Sequence, residues 1–204
     1  MATRDLGRWE PLPVGEVVAL FSGFTGLWWL AGGYAIELAV GRPVRAAHAD
    51  VDVGVPRTDH LAVHDVLQGW ELWAADPPGS LRRWPRGQQL ARDVHDVWCR
   101  PQPACPWAMQ IVVDETDGDQ WVSRRDPTVR RPIASVIDYT ARGIPYLTPA
   151  VQLYYKSARQ RPKDDVDFKA ALPVLRREER RWLHARISET GATDHPWLAD
   201  LSDA

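Results

Sequence analysis

Two aspartates separated by one residue are the feature of the sequence most suggestive of chemistry. Asp50 and Asp52 belong to a segment that alternates polar with β-branched residues, which predicts a strand over residues 50–55. Because residues i and i+2 of a strand project from the same face, the two carboxylates would lie about 6–7 Å apart. Hard oxygen ligands at that spacing suit one or two Mg²⁺ ions. Taken alone, such a pair is more typical of solvated acids on the exposed face of an edge strand.

A glycine pair precedes these aspartates along the chain. Gly32 and Gly33 lie between an apolar run over residues 27–31, which predicts a buried strand, and a helical pattern over residues 34–40. Glycine lets a ligand approach the backbone closely, and the N–H groups at a helix start can bind phosphate oxygens. Steric packing alone also explains many such turns. Followed by two aspartates on one strand face, however, the turn predicts a metal-nucleotide site.

These residues carry a resemblance to a known family. The glycine turn, from Trp29 to Glu37, and the pattern Arg45-x-x-His48-x-Asp50-x-Asp52 resemble the nucleotidyltransferases of the aminoglycoside adenylyltransferase type, whose fold is shared with DNA polymerase beta. The resemblance continues more loosely as far as Phe168. It implies transfer of a nucleoside monophosphate from ATP or another nucleoside triphosphate to a hydroxyl of a small acceptor, with pyrophosphate as leaving group.

The resemblance also implies roles for individual residues. Gly32 and Gly33 would hold the triphosphate, and the two aspartates would bind two Mg²⁺ ions. Arg45, His48 and Lys156 would contact the nucleotide. Arg45 and His48 have an alternative interpretation as a surface arginine and a hydrogen-bonding turn residue.

A third carboxylate on a neighbouring strand normally completes this type of site, and here the sequence departs from the pattern. Our register places Gln110 at that position, and an amide is a poor substitute for a carboxylate that acts as ligand and base. Asp114, about 13 Å further along the same strand face, is our predicted third catalytic residue if the register or bend differs. Asp96 is a second candidate. If neither reaches the metals, the chain is weakly active or a catalytically degenerate nucleotide-binding protein.

The acceptor is the least determined part of the prediction. An aminoglycoside-like antibiotic is our first expectation, and antibiotic resistance would follow from its modification. A polycationic sugar needs an acidic cleft, and one local run of acids could supply it: Asp114, Glu115, Asp117 and Asp119. A toxin-type relative that modifies a protein or tRNA is the alternative enzyme.

Composition restricts the partners. The formal net charge of −2 over 204 residues gives no general cationic field, so we do not expect a nucleic-acid partner. No apolar run approaches the roughly 20 residues that cross a bilayer, and Met1 to Glu10 lacks an apolar signal core. With only two cysteines, a disulfide framework is not expected, and we predict a cytoplasmic protein. The sequence predicts neither the preferred nucleotide nor the oligomeric state.

The order of elements predicts an α/β (α+β) fold, a mixed sheet flanked by helices with a helical region at the C-terminus. Short β-like segments dominate the first part, whereas apolar residues at i, i+3 and i+4 dominate after Pro149. We therefore predict a nucleotidyltransferase core over residues 1–130 and a mainly helical region over residues 131–204.

Overall fold

The computed structural model describes residues 6–190 and 194–202 of the chain. Residues 1–5, part of the N-terminal stretch considered above, lie outside the described range. Within that range no helix has both the length and the apolar character needed to cross a membrane.

The described residues contain seven α-helices, three short 3-10 helices and ten strands. The helices are α1 (Val14–Phe21), α2 (Gly32–Val40), α3 (Val63–Val66), α4 (Pro149–Ser157), α5 (Pro162–Ala171), α6 (Arg177–Ser188) and α7 (Trp197–Ser202). The strands are β1 (Trp29–Leu30), β2 (Asp52–Pro56), β3 (Glu71–Ala74), β4 (Arg82–Arg83), β5 (Asp96–Arg100), β6 (Met109–Asp117), β7 (Gln120–Val122), β8 (Arg130–Pro132), β9 (Ile137–Tyr139) and β10 (Pro145–Leu147).

The chain divides into two units. The first contains the described residues up to Leu30 together with His48–Ile133, and the second contains Ala31–Ala47 and the described residues from Ala134 onward. The predicted division of the chain at residue 130 stays a prediction. The second unit is made of two separate segments, because it also includes the helix that follows the glycine turn.

The first unit is built around a mixed sheet. Its strands follow the order β4-β3-β5-β6-β2-β1, in which only β2 and β6 are parallel, while β7 continues from β6 and pairs with β8. The turn between β6 and β7 uses Gly118 with a φ of +59°, a conformation that favours glycine. The predicted α+β class, with a mixed sheet and flanking helices, is confirmed.

One face of the central strands β2, β5 and β6 forms the core of this unit. Its side chains are fully buried β-branched or small apolar groups: Val53, Val55, Val97, Cys99, Ile111 and Val113. Burial raises the pKa of the Cys99 thiol well above its ordinary value, so this cysteine is an inert core residue. Since successive residues of a strand point to opposite faces, the polar residues between these positions project from the other face.

Gly54 of β2 lies against a tryptophan of the neighbouring strand. The β1–β2 register pairs it with Trp29, whose side chain is fully buried. A Cβ atom at position 54 would lie 2.0 Å from the indole Nε1 of Trp29. The absence of a side chain at position 54 is therefore what allows the tryptophan to cover β2.

The described residues of the second unit form five α-helices and the hairpin of β9 and β10. Helix α2 begins at Gly32, which has a φ of +66°, and ends at Val40. The next residue, Gly41, caps the helix, and its N–H donates to the carbonyl of Glu37. Helix α4 begins with Pro149, a residue suited to the first helical position. Aromatic pairs hold the later helices, and Phe168 stacks on Trp197 with ring centroids 4.6 Å apart. The helical C-terminal region predicted from the sequence is thus present.

Candidate functional site

Asp52 is the first residue of β2 in the first unit, and Asp50 precedes the strand by two residues. Val51 and Val53 are fully buried, whereas both aspartates are partly exposed. This alternation is that of an extended segment whose two carboxylates share the side opposite the core. Both can therefore be reached by a ligand.

Gln110 is the residue of β6 that lies beside Asp52. The two strands are parallel, with Asp52 paired to Gln110. On the other side of β6, β5 runs antiparallel, and Asp96 pairs with Val112. Because paired residues project from the same face of a sheet, Asp52, Gln110 and Asp96 share one face across three adjacent strands. We call these residues, with Asp50, the carboxylate face.

A hydrogen bond links two members of the carboxylate face. The Nε2 of Gln110 donates to the Oδ1 of Asp96 at 3.1 Å. The Asp96 side chain is 47% exposed, and the same Oδ1 lies 4.0 Å from Nη1 of Arg124. A ligand that approaches Gln110 therefore also meets an accessible carboxylate.

Asp114 occupies a different environment further along β6. It pairs with Pro56, four residues beyond Gln110 and so about 13 Å along the strand. Its side chain is only 2% exposed, lies 3.7 Å from the Nε of Arg124, and accepts a hydrogen bond from the indole of Trp121 at 3.2 Å. The structure thus packs Asp114 into the protein and does not place it beside Asp52.

The run of acids that was expected to attract a polycation is largely balanced by arginines. Glu115 forms an ion pair with Arg57, and Asp117 pairs with Arg130 at 2.6 Å. Asp119 accepts a hydrogen bond from the side chain of its neighbour Gln120 at 3.0 Å. Most of the negative charge in this segment is therefore compensated within the first unit.

The glycine turn lies in the second unit and is fastened by a side chain. The N–H of Gly32 donates to the Oε1 of Gln152 on α4 at 2.8 Å. Gln152 is buried, and Gly33 follows as a buried residue of α2. Gln152 carries no sequence signal for this contact, since glutamine in a helix is ordinary and its partner is 120 residues away.

Two residues predicted to bind nucleotide meet in the second unit. Lys156 places its Nζ 3.0 Å from Asp164 and 2.9 Å from Asp167, and the Nε of Arg45 lies 3.2 Å from Asp167. Both carboxylates have 0% side-chain exposure. With Arg161, which pairs with Asp164 at 2.8 Å, these residues form what we call the buried ion network.

The charge state of Asp164 follows from this network. Burial favours its neutral form, but hydrogen bonds from Arg161 and Lys156 outweigh burial and lower the pKa of Asp164 to about 2. Asp164 is therefore ionised at neutral pH and balances part of the positive charge around it.

The segment that follows α2 is held by Glu37. Its Oε1 accepts hydrogen bonds from the backbone N–H groups of Val44 at 2.9 Å and Arg45 at 3.1 Å. Together with the Arg45 ion pair, these bonds fix the segment within the second unit. His48, the remaining predicted nucleotide contact, belongs to the first unit and is partly exposed.

The oxygen atoms of Asp50 and Asp52 are chemically suited to Mg²⁺. In the part of the chain that the structure describes, no three His, Cys, Asp or Glu side chains gather closely enough to hold a metal by themselves. Mg²⁺ typically uses one or two carboxylates and completes its shell with water and substrate phosphates. Two accessible aspartates fit an ion that arrives with a nucleotide.

Comparisons with known proteins agree with this fold. The model of the aminoglycoside-2''-adenylyltransferase family matches residues 14–73, which include the glycine turn and both aspartates. The crystal structure of ANT(2'')-Ia in complex with adenylyl-2''-tobramycin is similar with a TM-score of 0.55 and 12% identity, covering 88% of this chain and 97% of that chain. The solution structure of the antibiotic-resistance factor ANT(2'')-Ia gives a TM-score of 0.57 and 14% identity, covering 89% and 93%. No curated protein sequence matches.

The structural matches show the fold, which this chain shares with ANT(2'')-Ia. With the family match over residues 14–73, they confirm the resemblance to nucleotidyltransferases of the aminoglycoside adenylyltransferase type.

Proposed function

We propose that the protein is a Mg²⁺-dependent nucleotidyltransferase. It transfers a nucleoside monophosphate from ATP or another nucleoside triphosphate to a hydroxyl of a small acceptor. The observation that carries the proposal is the carboxylate face, where Asp50 and Asp52 are accessible on the side of the sheet opposite the core. The family match over residues 14–73 supports the same function.

Asp50 and Asp52 hold the magnesium in this proposal. When bound, Mg²⁺ neutralises phosphate charge and stabilises the oxygen on which negative charge develops. The rigid strand that follows Asp52 fixes one of the two carboxylates, so little reorganisation is needed when a ligand binds.

Most of the residues proposed to contact the nucleotide belong to the second unit. Gly32 and Gly33 at the start of α2 offer a backbone without Cβ atoms to the triphosphate. In the buried ion network, Arg45, Lys156 and Arg161 carry three positive charges against the two negative charges of Asp164 and Asp167. The remaining positive charge favours a phosphate. His48 completes the predicted set of nucleotide contacts.

An aminoglycoside is the first acceptor to test. The support comes from the similar structure of ANT(2'')-Ia, which was solved with adenylyl-2''-tobramycin. A second candidate function is nucleotide binding without transfer. It is favoured by one observation, that the residue paired with Asp52 on β6 is the neutral Gln110.

The test is a transfer assay with α-labelled ATP, GTP, CTP and UTP against tobramycin, other aminoglycosides, a lincosamide and tRNA. We expect Mg²⁺-dependent formation of a nucleotidylated small acceptor together with pyrophosphate, lost when EDTA is present. Calorimetry with the same nucleotides separates the alternatives. Binding without any product would favour the non-catalytic candidate, and absence of Mg²⁺-dependent binding would contradict both.

A further inference from the structure

We infer that Asp96 is the catalytic base that takes the proton from the acceptor hydroxyl, and that Gln110 positions it. The inference rests on the proposed nucleotidyl transfer. A hydroxyl becomes an effective nucleophile when a group within hydrogen-bond reach accepts its proton. An amide cannot do so, and Asp50 and Asp52 are assigned to the metal.

Asp96 shares its strand face with Asp52. Strand β6 separates the two strands that carry them, and neighbouring strands lie about 4.8 Å apart. Gln110 lies on this intervening strand, where it pairs with Asp52 of β2, and its side chain donates a hydrogen bond to Asp96 of β5 at 3.1 Å. A substrate bound at Asp52 and Gln110 is therefore next to the carboxylate of Asp96.

The two oxygens of Asp96 have different surroundings. Oδ1 accepts the hydrogen bond from Gln110 and is the atom nearest to Arg124. No residue among those described donates a hydrogen bond to Oδ2. Since the side chain is 47% exposed, Oδ2 is the atom that can meet an acceptor hydroxyl.

The chemistry of the pair determines how Gln110 is oriented. An ionised carboxylate only accepts hydrogen bonds, so the NH₂ of the Gln110 amide must face Asp96. This bond fixes the rotamer of Asp96 and directs Oδ1 toward β6. Gln110 thus acts through Asp96 and needs no proton chemistry of its own.

Asp114 is the competing carboxylate and lacks these properties. Its side chain is 2% exposed and bound to Trp121 and Arg124. It also lies further from Asp52 along the strands, because it pairs with Pro56, four residues beyond Asp52, whereas Asp96 is level with Gly54, two residues beyond Asp52. An acceptor hydroxyl would have to displace packed side chains to reach it.

The step balances as a simple displacement. The O–H bond of the acceptor breaks and its proton moves to Oδ2 of Asp96. The hydroxyl oxygen uses the released electron pair to bond to the α-phosphorus of the nucleotide. The bond from that phosphorus to the bridging oxygen breaks, and its electron pair leaves with pyrophosphate.

The experiment compares Asp96→Asn with Asp93→Asn, an exposed aspartate three residues earlier with the same change of charge. We expect Asp96→Asn to lower kcat about 10²- to 10⁴-fold, and Asp93→Asn to leave it unchanged. The Kd of the Mg²⁺-nucleotide complex, measured by calorimetry, should stay within about twofold in both variants, because the base does not bind the nucleotide.

Relocating the carboxylate provides a rescue. In Asp96→Asn/Gln110→Asp the acid stands beside Asp52, so kcat should rise at least about tenfold above that of Asp96→Asn alone. If kcat did not rise, the reaction would not depend on a carboxylate at this part of the carboxylate face, and the inference would be wrong.

Three other results would overturn the inference. The first is a kcat for Asp96→Asn within about threefold of wild type. The second is loss of turnover in Asp114→Asn while Asp96→Asn remains active. The third is a wild-type protein that transfers nucleotide neither to any acceptor nor to water. This third result would contradict the proposed function as well, whereas the first two contradict only the role of Asp96.

Discussion

The carboxylate face and the buried ion network place the same side chain in opposite environments. Asp50, Asp52 and Asp96 of the first unit are partly exposed. Asp164 and Asp167 of the second unit have no exposed side-chain area and are surrounded by lysine and arginine. Buried acids cost free energy unless cations pair with them, whereas exposed acids keep their capacity to bind a ligand.

The difference separates chemistry from stability. Neutralising an aspartate of the carboxylate face should remove a proposed metal ligand or base and leave the packing intact. Removing a member of the buried ion network leaves an uncompensated charge inside the protein. The two kinds of substitution should therefore be distinguishable by measuring turnover and unfolding on the same variants.

The largest effect is expected from Asp50→Asn or Asp52→Asn. Either change removes a charged metal ligand, so kcat/KM for nucleotide transfer should fall about 10³-fold or more. The free energy of unfolding, measured in urea, should change by no more than about 0.5 kcal/mol, because neither side chain is buried. Unaltered turnover in both variants would contradict the assignment of the metal ligands.

A large stability effect is expected from Lys156→Met. The substitution keeps a long apolar stem but deprives Asp164 and Asp167 of a shared cation. Breaking a buried ion pair from one side costs about 3–5 kcal/mol of unfolding free energy.

The control for this variant is Lys169→Met, which replaces an exposed lysine of α5. It should change the unfolding free energy by less than about 0.5 kcal/mol. Equal stability of the two variants, measured without nucleotide, would show that the buried ion network does not stabilise the fold.

A smaller effect is expected from acid. The pKa of Asp164 is lowered from an ordinary value of 3.8 to about 2 in the folded protein, so folding favours its charged form. This contribution is fully present above the unfolded pKa and is lost as the pH falls from about 4 toward 2. In urea titrations the stability gap between wild type and Lys156→Met should therefore narrow over that interval. If this difference in unfolding free energy stayed constant to the lowest pH, Lys156 would not be a cause of the low pKa of Asp164.

Patterns with a short sequence period predicted much of the first unit. Alternation of aspartate and valine gives β2 to within two residues, because one face must join the core while the other remains polar. The glycine pair correctly marks the start of α2, although the helix begins at Gly32 and not after the pair as predicted. Strands β8, β9 and β10 were not predicted, since three residues are too few to establish alternation.

The second unit shows what such patterns miss. The hydrogen bond between Gly32 and Gln152 joins residues far apart in the chain, and neither residue type predicts a contact with the other. Lys156 was singled out for a phosphate, yet the structure gives it two carboxylate partners on α5. Only the folded arrangement of α2, α4 and α5 determines which charges are compensated.

The tryptophan that covers Gly54 affects how any survey of substitutions would score this strand. Position 54 has no room for a methyl group, and it lies two residues beyond Asp52. A selection for the proposed nucleotidyl transfer would thus reject changes at both positions with similar severity. At position 52 the full-length protein would accumulate without working, whereas at position 54 it would be degraded, and an immunoblot of the surviving cells would tell the two apart.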